Sequence, residues 1–229
     1  MKKRGKFIVI EGTDGSGKGE QFKLLTQALT KKKIKFVTVD FPQYGKPSAY
    51  FVERYLNGDY GAWQGSQAKL SSIFYALDRF DVGFQIREQL EKGLHVLANR
   101  YVASNMGHQG AKFSNIRERK AFIKWVYDLE YNFFGVPKPD LNMFLSVPPK
   151  IAYDLVAKKS ERAYLKGKKR DIHEASLQHL TRAALSYGDT IKLFPKEFKV
   201  IECAPRGVLR TIPEIQQDVL KLFTDYVRS

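Results

Sequence analysis

The sequence predicts an α/β fold in which a five-stranded parallel sheet is flanked by helices. Two observations carry this prediction. Short apolar runs rich in β-branched and aromatic residues alternate with longer segments of helical period, which is typical of βαβ units. A glycine-rich string also joins the first apolar run to the first helical segment, where α/β proteins commonly hold phosphate groups. The expected architecture has three layers, with the sheet in the middle.

Each element follows from a local pattern. Five apolar runs are predicted to be the strands: Phe7–Glu11, Lys35–Asp40, Leu94–Asn99, Leu141–Val147 and Lys199–Cys203. Helical periodicity predicts helices over residues 17–31, 47–57, 65–92, 116–134, 149–158, 173–192 and 212–227. The sequence contains no internal repeat and no Pro/Gly/Ser-rich linker, so residues 1–229 are expected to form one domain.

Composition limits the classes of protein that this chain can belong to. Hydrophobic residues make up 43% of it, which excludes an intrinsically disordered protein. The single cysteine, Cys203, cannot close an intrachain disulfide, and residues 1–12 lack the apolar region of a signal peptide. No apolar run approaches the roughly 20 residues of a membrane helix. We therefore expect a cytoplasmic protein without a membrane partner.

The net charge of +15 suits two kinds of ligand equally well. A basic surface attracts nucleic acid, and it also attracts polyanionic nucleotides. Charge alone does not choose between them.

The glycine-rich string at residues 12–18 lies between a strand and a helix. Its glycines allow successive N–H groups to face a phosphate, the helix N-terminus adds partial positive charge, and Lys18 can reach the terminal phosphates. The residues predicted to bind the phosphates of a nucleotide are Gly12, Thr13, Asp14, Gly15, Ser16, Gly17, Lys18 and Gly19. Lys18 is also predicted to act in catalysis.

Gly19 departs from the usual pattern of such a loop. The residue after the lysine is ordinarily Ser or Thr, whose hydroxyl ligates Mg²⁺. In this chain the metal must instead be held by phosphate oxygens, water and carboxylates.

Five strings, read in order, resemble the thymidylate kinase family: GTDGSGK at 12–18, FPQYG at 41–45, FYALDR at 74–79, NRYVASN at 99–105 and KPD at 138–140. The resemblance covers nearly the whole chain. It implies a P-loop kinase fold, ATP as phosphoryl donor, dTMP as acceptor, Mg²⁺ as cofactor and a homodimer, with nucleic acid an unlikely partner.

The same resemblance implies an acceptor site. The residues that it assigns to dTMP are Phe41, Tyr75, Arg79, Arg100, Ser104 and Asn105. Arg100 is expected to grip the acceptor phosphate and to be catalytic, because a guanidinium can bind two phosphate oxygens at once. His108, on the same stretch, is expected on a helix surface. Gln43 stands where the family frequently has arginine.

The resemblance also implies which carboxylate serves the metal. Asn99 stands where the family usually has aspartate, so a second position near the metal is altered. Asp14 is expected to be the surviving metal-binding and catalytic carboxylate, with Glu11 as its closest rival.

A basic stretch at residues 158–170 is predicted to form a lid, with bounds of about 158–172. It holds seven basic residues and one acid. Such a segment can close over the donor and exclude water, and Arg162 and Arg170 are the residues expected to neutralise the transferring group.

Two alternatives stay open from the sequence. The acceptor can be another deoxynucleoside monophosphate, which the altered Gln43 and His108 would permit. The protein can also be a catalytically weak nucleotide-binding or nucleic-acid-binding protein, as Gly19, Asn99 and the net charge suggest.

Overall fold

The computed structural model describes residues 3–61, 67–164 and 176–228, and for residues 159–164 and 228 it describes the backbone alone. Five strands form one sheet: β1 (Phe7–Glu11), β2 (Phe36–Asp40), β3 (His95–Asn99), β4 (Leu141–Ser146) and β5 (Phe198–Glu202). Their order is β2-β3-β1-β4-β5, and every neighbouring pair is parallel. The predicted parallel sheet is therefore confirmed.

The strand register aligns the carboxyl ends of the central strands. Asn99 at the end of β3 pairs with Asp40 on β2 and with Ile10 on β1. On the other side of β1, Glu11 pairs with Phe144 of β4. Side chains that follow these strands must meet at one edge of the sheet, which is where open α/β proteins bind their ligands.

Helices cover both faces of this sheet. Their bounds are α1 (Lys18–Lys31), α2 (Tyr50–Leu56), α3 (Ala68–Glu91), α4 (Val102–Gly110), α5 (Ile116–Tyr127), α6 (Pro149–Tyr164), α7 (Leu177–Leu193) and α8 (Ile212–Arg228). Short 3₁₀ turns occupy Pro47–Ala49, Pro195–Glu197 and Pro205–Gly207, and one π-helical segment spans Asp128–Phe133. No described helix is long and apolar enough to cross a membrane.

The central strand β1 is buried on both faces and divides the core in two. Phe7 and Val9 face a cluster built with α3, α4 and α5. Ile8 and Ile10 face the other cluster, which includes residues of α1, α7 and α8. The continuous apolar run of β1 thus reflects a strand covered by helices on both sides, as expected for a parallel sheet.

Three helical predictions need correction. The bounds of helix α4 were not predicted, although His108 was expected on a helix, because its sequence is short and rich in small and polar residues. The predicted helix over 116–134 is α5 followed by the π-helical segment. Helix α6 runs to Tyr164 rather than ending at Lys158, so the backbone of the predicted lid begins as a helix.

Candidate active site

The glycine-rich loop leads from β1 into α1 with the geometry of a phosphate-binding loop. Gly15 and Gly17 have φ of 79° and 82°, which side-chain-bearing residues rarely adopt. A Cβ on Gly15 would lie 2.1 Å from the carbonyl oxygen of Ala152, so the loop packs directly against α6. The Lys18 Nζ donates to the carbonyl of Thr13 at 2.7 Å, which folds the lysine over the loop.

The loop borders a cavity of about 810 Å³ at the carboxyl edge of the sheet. Most of the predicted site residues line it: Asp14, Gly15, Gly17, Lys18, Gly19, Phe41, Tyr75, Arg79, Arg100, Ser104 and Asn105. Gly12, Thr13 and Ser16 are buried in the loop itself. The cavity is therefore large enough, and lined appropriately, for a nucleotide-sized ligand.

Arg100 and Asp14 form an ion pair in the wall of this cavity. Burial by itself would raise the pKa of Asp14, but the positive charges of Arg100 and Lys18 bring it well below its usual range. Burial would likewise lower the pKa of Arg100, and Asp14 reverses this so that the pKa lies above its usual value. Both groups stay charged at every physiological pH.

Glu11 is fully buried and is already occupied by protein donors. Its Oε1 accepts from the backbone N–H of Tyr101 at 2.7 Å and of Ser104 at 3.2 Å. Its Oε2 accepts from the Ser104 hydroxyl at 2.7 Å and from the Tyr187 hydroxyl at 3.1 Å. Burial raises the pKa of Glu11 despite these bonds. Glu11 therefore ties β1 to α4 and α7, which favours Asp14 as the carboxylate for a metal.

Arg79, Asn105 and Glu130 form a buried network at the other end of the cavity. Glu130 accepts two hydrogen bonds from Arg79, Nε to Oε2 at 2.5 Å and Nη2 to Oε1 at 2.7 Å. The Asn105 Nδ2 donates to Glu130 Oε1 at 2.9 Å and to the carbonyl of Ser72 at 3.1 Å. These donations fix the orientation of the Asn105 amide. Its Oδ1 is buried and has no hydrogen-bond partner among the described residues.

The FPQYG segment forms one wall of the cavity. Phe41 is buried against the ring of Tyr101, with the centroids 5.4 Å apart. Asp78 orients the segment, because it accepts from the backbone N–H of Gln43 at 2.9 Å and from the Ser48 hydroxyl at 2.6 Å. The Gln43 amide donates to the carbonyl of Asp40 at 3.0 Å, so this side chain is turned toward its own loop.

Asp40, Tyr55 and Lys112 also line the cavity, and the sequence interpretation did not assign them to the site. Asp40 ends β2 beside Asn99, and burial raises its pKa. Lys112 donates to the Tyr55 hydroxyl at 2.9 Å. A carboxylate at the carboxyl end of a predicted strand was a signal that could have identified Asp40, whereas Lys112 and Tyr55 lie in no recognisable motif.

His108 does not lie on a helix surface as expected. It projects from α4 into the cavity wall, where its Nε2 lies 3.0 Å from Arg100 Nη1. Its Nδ1 lies 3.4 Å from the Nε2 of His179 on α7, a second histidine that lines the cavity. Helix α4 is packed between α3, α5 and α7 and is buried almost all round, which explains the correction.

The predicted lid cannot be placed in the same way. Arg170 lies outside the described residues, and Arg162 lies where only the backbone of α6 is described. Their catalytic roles stay predictions.

The cavity residues lie within a stretch that matches a known family. The model of the family described as thymidylate kinase matches residues 10–206, which includes the phosphate loop, the FPQYG segment, Arg79, Arg100 and Asn105. The chain belongs to the thymidylate kinase family. The resemblance drawn from the sequence strings is thereby confirmed.

Curated thymidylate kinases resemble this chain over most of its length. The chain is 32% identical to a thymidylate kinase of Mycobacterium tuberculosis (strain CDC 1551 / Oshkosh) over 179 residues, covering 77% of this chain and 82% of the relative. It is 28% identical to a thymidylate kinase of Symbiobacterium thermophilum over 218 residues, covering 94% and 91%.

A solved structure shares the fold. The thymidylate kinase of Candida albicans, described as having broad substrate specificity, aligns with a TM-score of 0.71 at 20% identity. The alignment covers 97% of this chain and 92% of that one. The P-loop kinase fold therefore extends over nearly the whole chain.

Proposed function

We propose that this protein transfers the γ-phosphoryl group of ATP to the 5′-phosphate of dTMP, giving ADP and dTDP. The observation that carries the proposal is the buried Arg79–Glu130–Asn105 network, which shares one cavity with the phosphate loop. The membership of the chain in the thymidylate kinase family supports the same reaction.

We infer that the network offers a base one donor, from Arg79, and one acceptor, the buried Asn105 Oδ1, which the base would have to reach when it binds. The Asn105 Oδ1 is a carbonyl oxygen and can only accept, and the donations of its amide nitrogen to Glu130 and Ser72 fix the orientation of the amide. Arg79 has only donors to offer. Thymine presents a ring N–H between two carbonyl oxygens, so it matches this pair. Cytosine presents an unprotonated ring nitrogen and an amino group. Its ring nitrogen would place an acceptor against the Asn105 oxygen, and its amino group would place a donor against Arg79.

The two phosphate groups are held by different parts of the cavity. The loop glycines and Lys18 cradle the phosphates of ATP, as in other proteins with this loop. Arg100 grips the phosphate of dTMP and neutralises its charge, so that the attacking oxygen can approach the γ-phosphorus. No covalent intermediate on the protein is needed. Phe41 and Tyr75 confine the sugar and base between them.

The residues present fit a magnesium ion that is held chiefly by the nucleotides. Among the described residues no group of three His, Cys, Asp or Glu side chains is placed to hold a metal. Asp14, Asp40 and the amide of Asn99 nevertheless line the cavity, and the Asn99 Oδ1 is a buried acceptor without a partner in the described chain. Mg²⁺ usually takes one or two carboxylates together with phosphate oxygens and water. When bound it would neutralise phosphate charge, with Asp14 as its main protein ligand.

The basic stretch at 158–172 remains our proposal for the lid. Its support is the sequence, in which residues 158–170 hold seven basic residues in thirteen, and the position of its first residues in α6, the helix that packs on the phosphate loop. Arg162→Ala or Arg170→Ala should then lower turnover more than nucleotide affinity.

A cytoplasmic homodimer completes the proposal. Helix α3 leaves Leu77 and Phe84 exposed, at 39% and 60%. An exposed apolar surface of this kind marks a protein contact. ATP and dTMP carry several negative charges, so the net charge of +15 needs no nucleic-acid partner.

A second candidate function has one specific observation in its favour. Gln43 is turned toward its own loop, so an acceptor phosphate meets one cation fewer than in family members with arginine there. The Candida albicans relative is described as having broad substrate specificity. With the phosphate held more weakly, selection between acceptors would depend more on contacts with the base. The site could then accept dUMP, whose base offers the same hydrogen-bonding edge as that of dTMP.

A coupled assay of ADP release separates these functions. ATP and Mg²⁺ are supplied with dTMP, dUMP, dCMP or dGMP in turn. We expect turnover with dTMP, less with dUMP, and almost none with dCMP or dGMP. Turnover with dCMP equal to that with dTMP would contradict the proposed base recognition, and ATP binding without turnover on any acceptor would favour a non-catalytic nucleotide-binding protein.

A further inference from the structure

Two histidines stand behind Arg100 in the cavity wall. His108 Nε2 lies 3.0 Å from Arg100 Nη1, and His108 Nδ1 lies 3.4 Å from His179 Nε2. The two imidazole rings are nearly parallel, at 19°, with centroids 5.7 Å apart. The contacts therefore join α4 and α7 to the arginine that follows β3.

The chemistry of arginine determines which nitrogens carry protons. A guanidinium has only donors, so His108 Nε2 must be unprotonated to accept from Arg100. A neutral His108 then carries its proton on Nδ1, which faces His179. His179 Nε2 must in turn be the acceptor. The chain of contacts thus defines one tautomer for His108 and one for His179.

We propose that His108, supported by His179, is a positioning residue that holds the Arg100 guanidinium toward the acceptor phosphate. This inference rests on the proposed function, because it assigns Arg100 to the phosphate of the acceptor. His108 itself need not touch the substrate.

A neutral hydrogen-bond partner can hold Arg100 without reducing its attraction for phosphate. Asp14 holds the other side of Arg100, but a carboxylate also competes with phosphate for the positive charge of the guanidinium. An imidazole accepts a hydrogen bond without neutralising that charge. His108 can therefore fix the orientation of Arg100 while the positive charge of the guanidinium stays available to the phosphate.

The backbone of Arg100 shows that its position is tightly defined. Its φ is 66°, in the left-handed region, and its N–H donates to the carbonyl of Ile10 at 3.0 Å. A non-glycine residue in this region is uncommon and is held there by its surroundings. With the backbone fixed, the side-chain direction depends on Asp14 and His108.

Burial and the positive charges nearby keep His108 neutral. The groups packed around it are Arg100 and Lys18 with positive charge, Asp14 with negative charge, His179, and the ring of Tyr187 at 5.9 Å. Burial lowers the pKa of His108 most, Asp14 raises it, and the cations lower it further, so that it lies at about 3. A protonated ring would point an N–H at the guanidinium, so neutrality preserves the contact from mildly acidic to alkaline pH.

Two variants of His108 separate positioning from mere packing. His108→Phe keeps an aromatic ring and removes the acceptor, whereas His108→Gln keeps an acceptor and a donor. We expect His108→Phe to raise KM for dTMP about tenfold with KM for ATP little changed. His108→Gln should restore most of the loss. His95→Gln serves as the control. His95 accepts from the N–H of Lys6 and does not line the cavity, so this substitution should leave both KM values unchanged.

A double-mutant cycle tests the part played by His179. If His179 acts through His108, His179→Phe should raise KM for dTMP less than His108→Phe does, and the double variant should be no worse than His108→Phe alone. Strictly additive effects would overturn the supporting role of His179. Equal KM for dTMP in His108→Phe, His108→Gln and the parent protein would overturn the role of His108.

Ring ¹⁵N NMR tests the inference without turnover. At pH 7 we expect a neutral His108 with its proton on Nδ1, in the full-length protein without nucleotides. A proton on Nε2, or a doubly protonated ring, would overturn the proposal. Because this measurement needs no acceptor, failure of the kinase proposal and failure of the positioning proposal give different results.

Discussion

Arg100 lies where the carboxyl ends of β1 and β3 meet, and two kinds of side chain hold it. Asp14 supplies opposite charge, and His108 supplies a neutral acceptor. The motif predicted that an arginine would follow β3, but it did not predict the left-handed backbone or the histidine. These depend on how α4 leaves the sheet, which is a property of the packed structure.

Replacing Arg100 by alanine should abolish phosphoryl transfer while sparing ATP. The truncated residue can no longer grip the acceptor phosphate, so kcat/KM for dTMP should fall by at least about a hundredfold. ATP contacts the phosphate loop instead, so its Kd, measured by calorimetry, should change less than about threefold. Equal losses for ATP and dTMP would show that Arg100 supports the whole cavity rather than the acceptor.

Glu130 is a site residue that sequence reasoning missed entirely. It lies in the π-helical segment, 51 positions from Arg79, and is fully buried. No short string contains both residues, so their pairing emerges only when α3 packs against this segment. Charged residues are rarely buried without a partner, but the sequence alone does not tell which acid becomes buried.

Exchanging Glu130 for glutamine should damage both the fold and base recognition. The neutral amide cannot compensate the buried charge of Arg79 and cannot accept as strongly from Asn105. We expect the free energy of unfolding to fall by about 3 kcal/mol and KM for dTMP to rise. Urea unfolding and steady-state kinetics measure the two effects.

Asp189→Asn provides the matched control for this variant. Asp189 accepts from Arg119 Nε at 2.7 Å in another buried ion pair that does not line the cavity. The Asp189→Asn variant should lose about as much stability as Glu130→Gln, while its KM for dTMP should stay unchanged. If both variants raised KM for dTMP alike, the assignment of Glu130 to base recognition would be wrong.

Among the elements, α4 carries the most site residues and was the hardest to predict. Ser104, Asn105 and His108 all project from it. Its glycines and polar residues hide the apolar period by which a surface helix is recognised. The strands and helices α1, α3, α7 and α8 were predicted within a few residues, because buried parallel strands and amphipathic helices leave strong patterns.

A glycine of α4 allows its close approach to α7. A Cβ on Gly107 would lie 2.3 Å from the ring of Tyr187. Gly107→Ala should therefore lower the free energy of unfolding by about 1–3 kcal/mol, as measured by thermal or urea unfolding. The steric cost outweighs the higher helix propensity of alanine. Displacing Tyr187 also disturbs its bond to Glu11, so KM for dTMP should rise.

Gly188 on α7 is the control for that substitution. A Cβ there meets nothing within 4 Å, so Gly188→Ala should stabilise the protein by up to about 1 kcal/mol. Equal stability changes in the two variants would contradict the packing argument for Gly107.

At the scale of the whole molecule, the exposed side of α3 bears on assembly. Leu70, Leu77 and Phe84 recur every seven residues and are all exposed. Phe80 packs on Phe84 with ring centroids 5.4 Å apart, which extends the apolar surface. Helical periodicity predicted the helix, the family resemblance implied a homodimer, and the structure adds which side chains of this helix are exposed.

A charge on this surface should separate the proposed dimer. Leu77→Glu combined with Phe84→Glu places carboxylates where two copies would meet, so light scattering coupled to size-exclusion chromatography should show monomers. Leu185→Glu is the control, since Leu185 is 56% exposed on α7, and it should leave the dimer intact. A parent protein that is monomeric at micromolar concentration would contradict the proposed dimer.

Phosphorus NMR of the whole reaction tests the central claim most directly. With ATP, Mg²⁺ and dTMP, the account predicts that signals of dTDP and ADP grow together in equal amounts while those of ATP and dTMP decline. Growth of ADP with inorganic phosphate, and without dTDP, would show hydrolysis instead of transfer and would contradict the assignment of the cavity to an acceptor nucleotide.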